Sequence, residues 1–219
     1  YASYTDIFQT QTLRDRHNAL LKPLIGTNVE AGLKGEFQGG RLNVSAAVFQ
    51  VKQDNQAELD EIIDGEYRYR TVDGATTRGY ELEIAGEPVR GWNLAAGFTR
   101  RLSRDRTGAP VQTTEPSSLL RLTSSHRLPG AWSRLTVGGH LSWQGRIYAT
   151  GRSGSPTGAT VAQSGYALVH LFGIYRATPQ LDLQLNVNNL FDKTYYAAVG
   201  GSGRYGDPRS VTVSMKYRF

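Results

Sequence analysis

Three stretches of the sequence mix arginine with tyrosine. They are Tyr67, Arg68, Tyr69 and Arg70; Arg146 and Tyr148; and Tyr195, Tyr196, Arg204 and Tyr205. A guanidinium presents donors in a planar fork and stacks on aromatic rings, and a phenol brings both a ring and a hydroxyl. Together they suit an anionic, aromatic ligand held by charge-assisted hydrogen bonds and stacking. The same residue types also suit contact with lipopolysaccharide, or packing of one loop on another.

Other motifs carry less. Gly201-Ser202-Gly203-Arg204-Tyr205-Gly206 matches a dinucleotide fingerprint, but that motif must open a helix, and Asp207-Pro208 and a strand pattern follow instead. Asn43-Val44-Ser45 matches a glycosylation sequon in mid-strand, with Asn43 on the polar face. His17, His126, His140 and His170 have no metal-ligand spacing, and no nucleophile motif surrounds any serine. His140 and His170 are read as hydrogen-bonding residues of the polar face. The pairs Glu81/Glu83 and Glu30/Glu36 could do acid–base work, yet alternating carboxylates on a wet wall need no such role. Catalysis is not expected.

These residues must be positioned by strands. In 180–219, Leu181, Leu183, Leu185 and Val187 alternate with Asp182, Gln184, Asn186 and Asn188. Further on, Val211, Val213, Met215, Tyr217 and Phe219 alternate with Ser210, Thr212, Ser214, Lys216 and Arg218. Comparable segments are expected near 1–9, 27–37, 41–52, 76–86, 92–102, 117–127, 132–146, 164–176, 180–190 and 209–219. Tight turns fall at 38–40, 87–91, 128–130 and 177–179; the other connections are long, including an insertion to about residue 75 and a Gly/Ser/Thr/Pro loop to about 161. Segments of about 9–11 residues suit tilted bilayer-crossing strands, and turns on one side with long loops on the other suit an up-and-down membrane barrel.

The apolar rows expected to face lipid include Val29, Ala31 and Leu33; Leu42, Val44, Ala46 and Val48; Leu82 and Ile84; Leu94, Ala96 and Phe98; Leu120 and Leu122; and Leu141. The segment 164–176 is apolar on both faces, so its orientation stays open. Aromatic girdles are expected at Phe37, Trp92, Trp132, Tyr175 and Phe219 on one rim. On the other they fall at Phe49, Tyr80, Phe98, Trp143 and Phe191.

Composition fits this reading. Of the 219 residues 20% are charged and 39% hydrophobic, too apolar for disorder and too polar for a helical membrane protein. The chain contains no cysteine, so disulfides and thiolate metal sites are excluded. A net charge of +6 points to acidic partners, but the bases are scattered and no tract suits nucleic acid.

The run Asn186-Val187-Asn188-Asn189-Leu190-Phe191-Asp192-Lys193-Thr194-Tyr195-Tyr196, followed later by Tyr217-Arg218-Phe219, resembles the C-terminal signature of TonB-dependent outer-membrane receptors, most closely the ferric-siderophore type. The stretch Tyr1-Ala2-Ser3-Tyr4-Thr5-Asp6-Ile7-Phe8-Gln9, the pair Lys22-Pro23 and the run Gly26-Thr27-Asn28-Val29-Glu30-Ala31-Gly32-Leu33-Lys34 are similar to the family's mid-barrel pattern.

The resemblance implies an all-β fold, about the last ten strands of a plugged barrel of about 22 strands. Residues 1–219 would form one barrel domain, a C-terminal fragment without plug or TonB box. It implies import of iron(III) as a ferric siderophore across the outer membrane of a Gram-negative bacterium, energised by TonB through the missing N-terminal region, with no covalent cofactor and no directly bound metal. Expected partners are the siderophore, TonB, outer-membrane lipid with lipopolysaccharide, and the barrel-assembly machinery, which would read Tyr217 and Phe219. The ligand would be met in extracellular loops by Tyr67, Arg68, Tyr69, Arg146, Tyr148, Tyr195, Tyr196, Arg204 and Tyr205, and wall carboxylates would meet the plug. The alternatives are a passive porin-like channel, a soluble β module, and a receptor for haem, cobalamin or another chelate.

Overall fold

The computed structural model describes residues 1–149, 160–199 and 203–219. Its strands are β1 (Ala2–Gln9), β2 (Leu24–Phe37), β3 (Leu42–Asp54), β4 (Gln56–Ile63), β5 (Glu66–Val72), β6 (Ala75–Val89), β7 (Trp92–Arg104) and β8 (Ser118–Arg127). They continue with β9 (Leu135–Gln144), β10 (Ile147–Ala149), β11 (Val161–Gln163), β12 (Tyr166–Arg176), β13 (Leu181–Asn188), β14 (Tyr196–Ala198), β15 (Arg204–Tyr205) and β16 (Ser210–Tyr217). One 10-stranded antiparallel sheet takes β1, β2, β3, β6, β7, β8, β9, β12, β13 and β16 side by side in chain order. The pairs β4–β5, β10–β11 and β14–β15 are separate hairpins within the long connections.

All ten expected segments are strands of this sheet, and each tight turn lies at the same end. The sequence reading left three hairpins out. The first turns at Asp64-Gly65, whose φ values of 51° and 81° are those a type I′ turn requires. The Asp-Gly dipeptide was the visible signal for it. The segment expected at 132–146 begins at Leu135, because residues Gly130–Trp132 form a 3-10 turn closed by the Ser133 amide on the Gly130 carbonyl, 3.1 Å.

Register carries the face assignment across the sheet. Leu33 pairs with Ala46, Ala46 with Leu82, Leu82 with Phe98, Phe98 with Leu120, Leu120 with Trp143 and Trp143 with Ala167. Directly opposed residues share a face, so one apolar face runs over the whole sheet. Among the described residues nothing covers it: Leu33 is 77% exposed, Val48 60%, Leu185 47% and Val213 73%. A contiguous open apolar face of this width suits a lipid surface.

The opposite face is mixed. Lys34, Ser45 and Glu83 form one row, and Glu81, Thr99, Leu119 and Gln144 another. The orientation of β12 is now fixed. His170 pairs with His140 and Phe172 with Asn186, so the even-numbered residues lie on the mixed face. The His140 and His170 rings sit 5.8 Å apart, and His140 Nδ1 is 2.9 Å from the Thr123 hydroxyl. One girdle assignment is overturned. Phe49 pairs with Glu30 and Gly79, so it belongs to the mixed face. Its ring lies over Gly79, where a Cβ would meet the ring at 2.5 Å.

The motif 189–193 is a clasp. Asn189 is buried with φ 47°; its Nδ2 donates to the carbonyls of Lys193 (2.9 Å) and Asp207 (3.0 Å), and its Oδ1 accepts the Lys193 amide at 2.9 Å. Asp192 accepts the Arg209 amide at 2.9 Å. The loop is thereby folded back to the start of β16.

Candidate functional site

The expected ligand residues all lie on the connections at the end of the sheet opposite the tight turns. They form separate groups. On the β4–β5 hairpin, Tyr67 is exposed, while Arg68 is covered and ion-paired with Glu66 at 2.7 Å. The Tyr69 amide donates to the Arg14 carbonyl at 2.9 Å. Arg70 is held by Glu58 at 2.7 Å. The guanidinium groups of this hairpin therefore face its own carboxylates.

The second group stands differently. The Arg146 guanidinium lies 5.1 Å from the centre of the Tyr148 ring, within cation–π range. Both border a cavity of about 210 Å³ with Arg101, Arg104, Gln112 and Glu115. Arg101 is ion-paired with Glu115, and Arg104 Nη1 donates to the Gly108 carbonyl at 2.6 Å. Among the described residues Arg146 has no carboxylate partner. Arg101, Gln112 and Glu115 also border a larger recess of about 760 Å³ on the mixed face with Phe49, Glu81 and Arg121. The small cavity thus adjoins the wall.

The third group is aromatic. Tyr196 stacks on Tyr205 with centroids 4.5 Å apart and hydroxyls 3.1 Å apart, and Tyr195 lies 4.5 Å from Tyr166. The hydrogen bond to Tyr205 holds the Tyr196 phenol above its usual range. Arg204 is exposed beside this stack. The loop stretch 150–159 and Gly201 and Ser202 of the rejected fingerprint lie outside the described residues.

Sequence reasoning placed Arg101 on the polar wall but not beside Arg146, and it missed Arg104, Gln112 and Glu115 and a repeated turn. Arg14-Asp15-Arg16-His17-Asn18-Ala19 and Arg104-Asp105-Arg106-Thr107-Gly108-Ala109 fold alike. Asp15 Oδ1 accepts the amides of His17 and Ala19, and Asp105 Oδ1 those of Thr107 and Ala109, each at 2.9 Å. Asn18 (φ 63°) and Gly108 (φ 84°) take the left-handed position. The signal was an Asp three residues before an Asn or Gly, a turn signature. The Ala19 amide does most to hold the Asp15 carboxyl below its usual range, and the Thr107 hydroxyl does the same for Asp105.

These turns stitch the connections together. Arg16 pairs with Glu61 on β4 at 3.0 Å, and Gln11 reaches the Asn55 carbonyl at 2.7 Å. Arg106 pairs with Asp54 at the end of β3, 3.5 Å, and lies across Gly74, where any Cβ would strike it. The Tyr148 amide donates to the Thr113 carbonyl at 2.8 Å, and the Tyr196 amide to Gln163 Oε1 at 2.9 Å. A belt of contacts therefore links loop to loop from β1 to β14.

Known proteins agree with this architecture. A family profile described as TonB dependent receptor-like, beta-barrel matches residues 1–190. The ferripyoverdine receptor of Pseudomonas aeruginosa is 42% identical over 234 residues, covering 100% of this chain and 28% of that receptor. Its pyoverdine-bound structure superposes with a TM-score of 0.86 at 42% identity, over 100% of this chain and 33% of that one. The catecholate siderophore receptor Fiu of Escherichia coli is 30% identical over 207 residues, 90% of this chain and 26% of Fiu. The chain therefore spans less than a third of these relatives. With an open apolar face, long connections at one end and tight turns at the other, the chain belongs to the TonB-dependent receptor-like β-barrel family of the outer membrane.

Proposed function

We propose that the protein containing this chain imports a ferric siderophore, of the pyoverdine class, across the outer membrane with energy delivered through TonB. The observation that carries the reading is Arg146 lying over Tyr148 at the mouth of a cavity also lined by Arg101 and Arg104. An anionic chelate needs such a cationic and aromatic place. The names of the relatives support the cargo class. Iron is cargo inside its chelate, and the protein acts as a receptor and transporter rather than an enzyme. Residues 1–219 form barrel wall and loops, and a plug contributed by the rest of the protein fills the lumen.

In this reading Arg146 and Tyr148 hold the anionic part of the chelate. Tyr67, Tyr69, Tyr195, Tyr196, Arg204 and Tyr205 offer rings and donors around it, and Arg68 keeps the β4–β5 hairpin in shape. Lipopolysaccharide meets the outer rim. Tyr217 and Phe219, whose rings meet edge to face at 5.2 Å, present the aromatic signal read by the barrel-assembly machinery. Deleting Phe219 is expected to lower the surface level of the full-length protein more than Tyr217→Phe does, as read by surface labelling. Equal levels contradict that role.

The function is tested by uptake of radiolabelled ferric pyoverdine into cells lacking their own receptors. Uptake is expected only when the full-length gene and TonB are both present. Uptake independent of TonB favours a passive channel, and no uptake contradicts the proposed cargo.

A further inference from the structure

Toward the loop end, the apolar face changes character on three neighbouring strands, β3, β6 and β7. Register there puts Val48 beside Tyr80 and Tyr80 beside Arg100. Nearer the loops, Gln50 meets Arg78 and Arg78 meets Leu102; nearer still, Lys52 meets Thr76. Opposed residues share a face, and so do residues two apart on one strand. Lys52, Arg78 and Arg100 therefore stand on the same face as Leu33, Leu82 and Phe98. Each is the diagonal neighbour of the next, about 7–8 Å apart by sheet geometry. All three are exposed. Arg78 Nε donates to Gln50 Oε1 at 2.7 Å, and Arg100 Nη1 reaches the Ser118 hydroxyl, 3.5 Å away. Among the described residues none of the three has a carboxylate partner. The acids near this end of the face are engaged elsewhere. Asp54 pairs with Arg106 and accepts the Gly74 amide at 2.6 Å, and Asp6 accepts the Tyr4 hydroxyl at 2.9 Å.

We propose that Lys52, Arg78 and Arg100 bind the phosphate groups of a glycolipid in the outer leaflet. The inference rests on the reading of the apolar face as the lipid face, and it goes further by naming a phosphate site on it. A cation on that face is costly at the bilayer midplane and tolerated near the interface. Tyr80 and Phe98, whose ring centres lie 5.9 Å apart, belong to the girdle expected at that boundary. Arg100 is level with Tyr80 in the register, and Arg78 and Lys52 lie nearer the loops. Toward the turn end the same rows of these strands run Leu42, Val44 and Ala46, then Leu82 and Ile84, then Leu94 and Ala96, without Lys or Arg. Long cationic side chains that merely snorkel would serve at either boundary, so their confinement to one end points to an anion of one leaflet. An ammonium and two guanidinium forks complement phosphate through charge-assisted hydrogen bonds. Acyl chains of the same lipid find the apolar rows directly beside them. The siderophore is excluded as occupant, because the patch lies on the outer side of the wall, away from the loop cavity.

The test is native mass spectrometry of the full-length protein in detergent micelles. Bisphosphorylated lipid A is titrated in, with dephosphorylated lipid A and inorganic phosphate in parallel arms. Wild type should retain the bisphosphorylated lipid where it releases the dephosphorylated one. Lys52→Gln combined with Arg78→Gln and Arg100→Gln should weaken retention roughly tenfold or more. Lys34→Gln, on the mixed face, should bind as wild type does, and Arg78→Lys with Arg100→Lys, which keeps the charge, should retain most of the affinity. Should the triple variant not assemble, the single variants Arg78→Gln and Arg100→Gln carry the same comparison. Equal retention by wild type and the glutamine variants overturns the proposal. Equal retention of the dephosphorylated lipid overturns it too, and so does displacement of the lipid by an equal concentration of inorganic phosphate. A nitroxide on Leu82→Cys in lipid nanodiscs separates the two readings. If a water-soluble relaxant reaches it more readily than oxygen does, the lipid-face reading fails as well. If oxygen reaches it more readily while the glutamine variants bind normally, only the phosphate site fails.

Discussion

Arginine and tyrosine recur in three loops, yet neighbours decide what each can do. Arg68 and Arg70 meet Glu66 and Glu58 across or along their hairpin, whereas Arg146 meets a ring and a cavity. Residue type was legible in the sequence; pairing across a hairpin was not, because it depends on register. Asn189 makes the same point, since the most recognisable motif proves to be a hydrogen-bonded clasp. Asp15 and Asp105 give a test at this scale. Both carboxyls are held low by turn amides, with the Thr107 hydroxyl leading for Asp105. A carboxyl whose folded pKa lies below its unfolded value stabilises the turn above the ordinary carboxylate range, and that contribution is lost as pH falls through the lowered value. Amide exchange at His17, Ala19, Thr107 and Ala109, corrected for intrinsic rates, should be slow near neutrality and speed up only below the ordinary range. Asp15→Ala should release His17 and Ala19 at all pH values. Protection unchanged in Asp15→Ala contradicts the assigned geometry.

Strands were the most legible elements. Alternation revealed the sheet strands other than β12, since one face must be apolar for its whole length, and the flanking loop and turn signals marked β12. The small hairpins were less visible because short strands such as β10 and β15 carry too few residues to show a period. The orientation of β12 was hidden by apolar residues on both faces, and its pairing with β9 settled it. Phe49 misled because an aromatic near a strand end reads as a girdle residue, although parity alone puts it with Glu30. On β13, Leu185 pairs with Gly173 and Val213 on the apolar face, while Gln184 donates to Asn186 at 2.8 Å on the mixed face. An arginine at the lipid midplane costs about 2–4 kcal/mol. Leu185→Arg should therefore lower the stability of the assembled barrel by about that amount, and Gln184→Arg by much less, in urea unfolding of the full protein in lipid. Equal losses would mean that the faces are misassigned.

The whole molecule divides its labour by height. In the proposed reading the uncovered apolar face meets lipid, the mixed face meets what fills the lumen, and the stitched loops present the ligand groups. Loops joined from β1 to β14 move less independently than free loops, so a site built on them is held ready before the ligand arrives. The two ends of the sheet were readable from the alternation of short and long connections, but the cavity beside Arg146 was not, because it needs the 105–116 connection folded against β10. The most direct measurement is equilibrium binding of ferric pyoverdine to the purified full-length protein. Wild type is to be compared with Arg146→Ala combined with Tyr148→Ala, and with Glu81→Gln. Losing a charge-assisted contact costs about 1.5–3 kcal/mol, roughly a tenfold or larger rise in Kd. The double variant should show that rise, while Glu81→Gln should bind as wild type does. A double variant that binds normally beside a weakened Glu81→Gln would contradict the account and put the ligand on the wall.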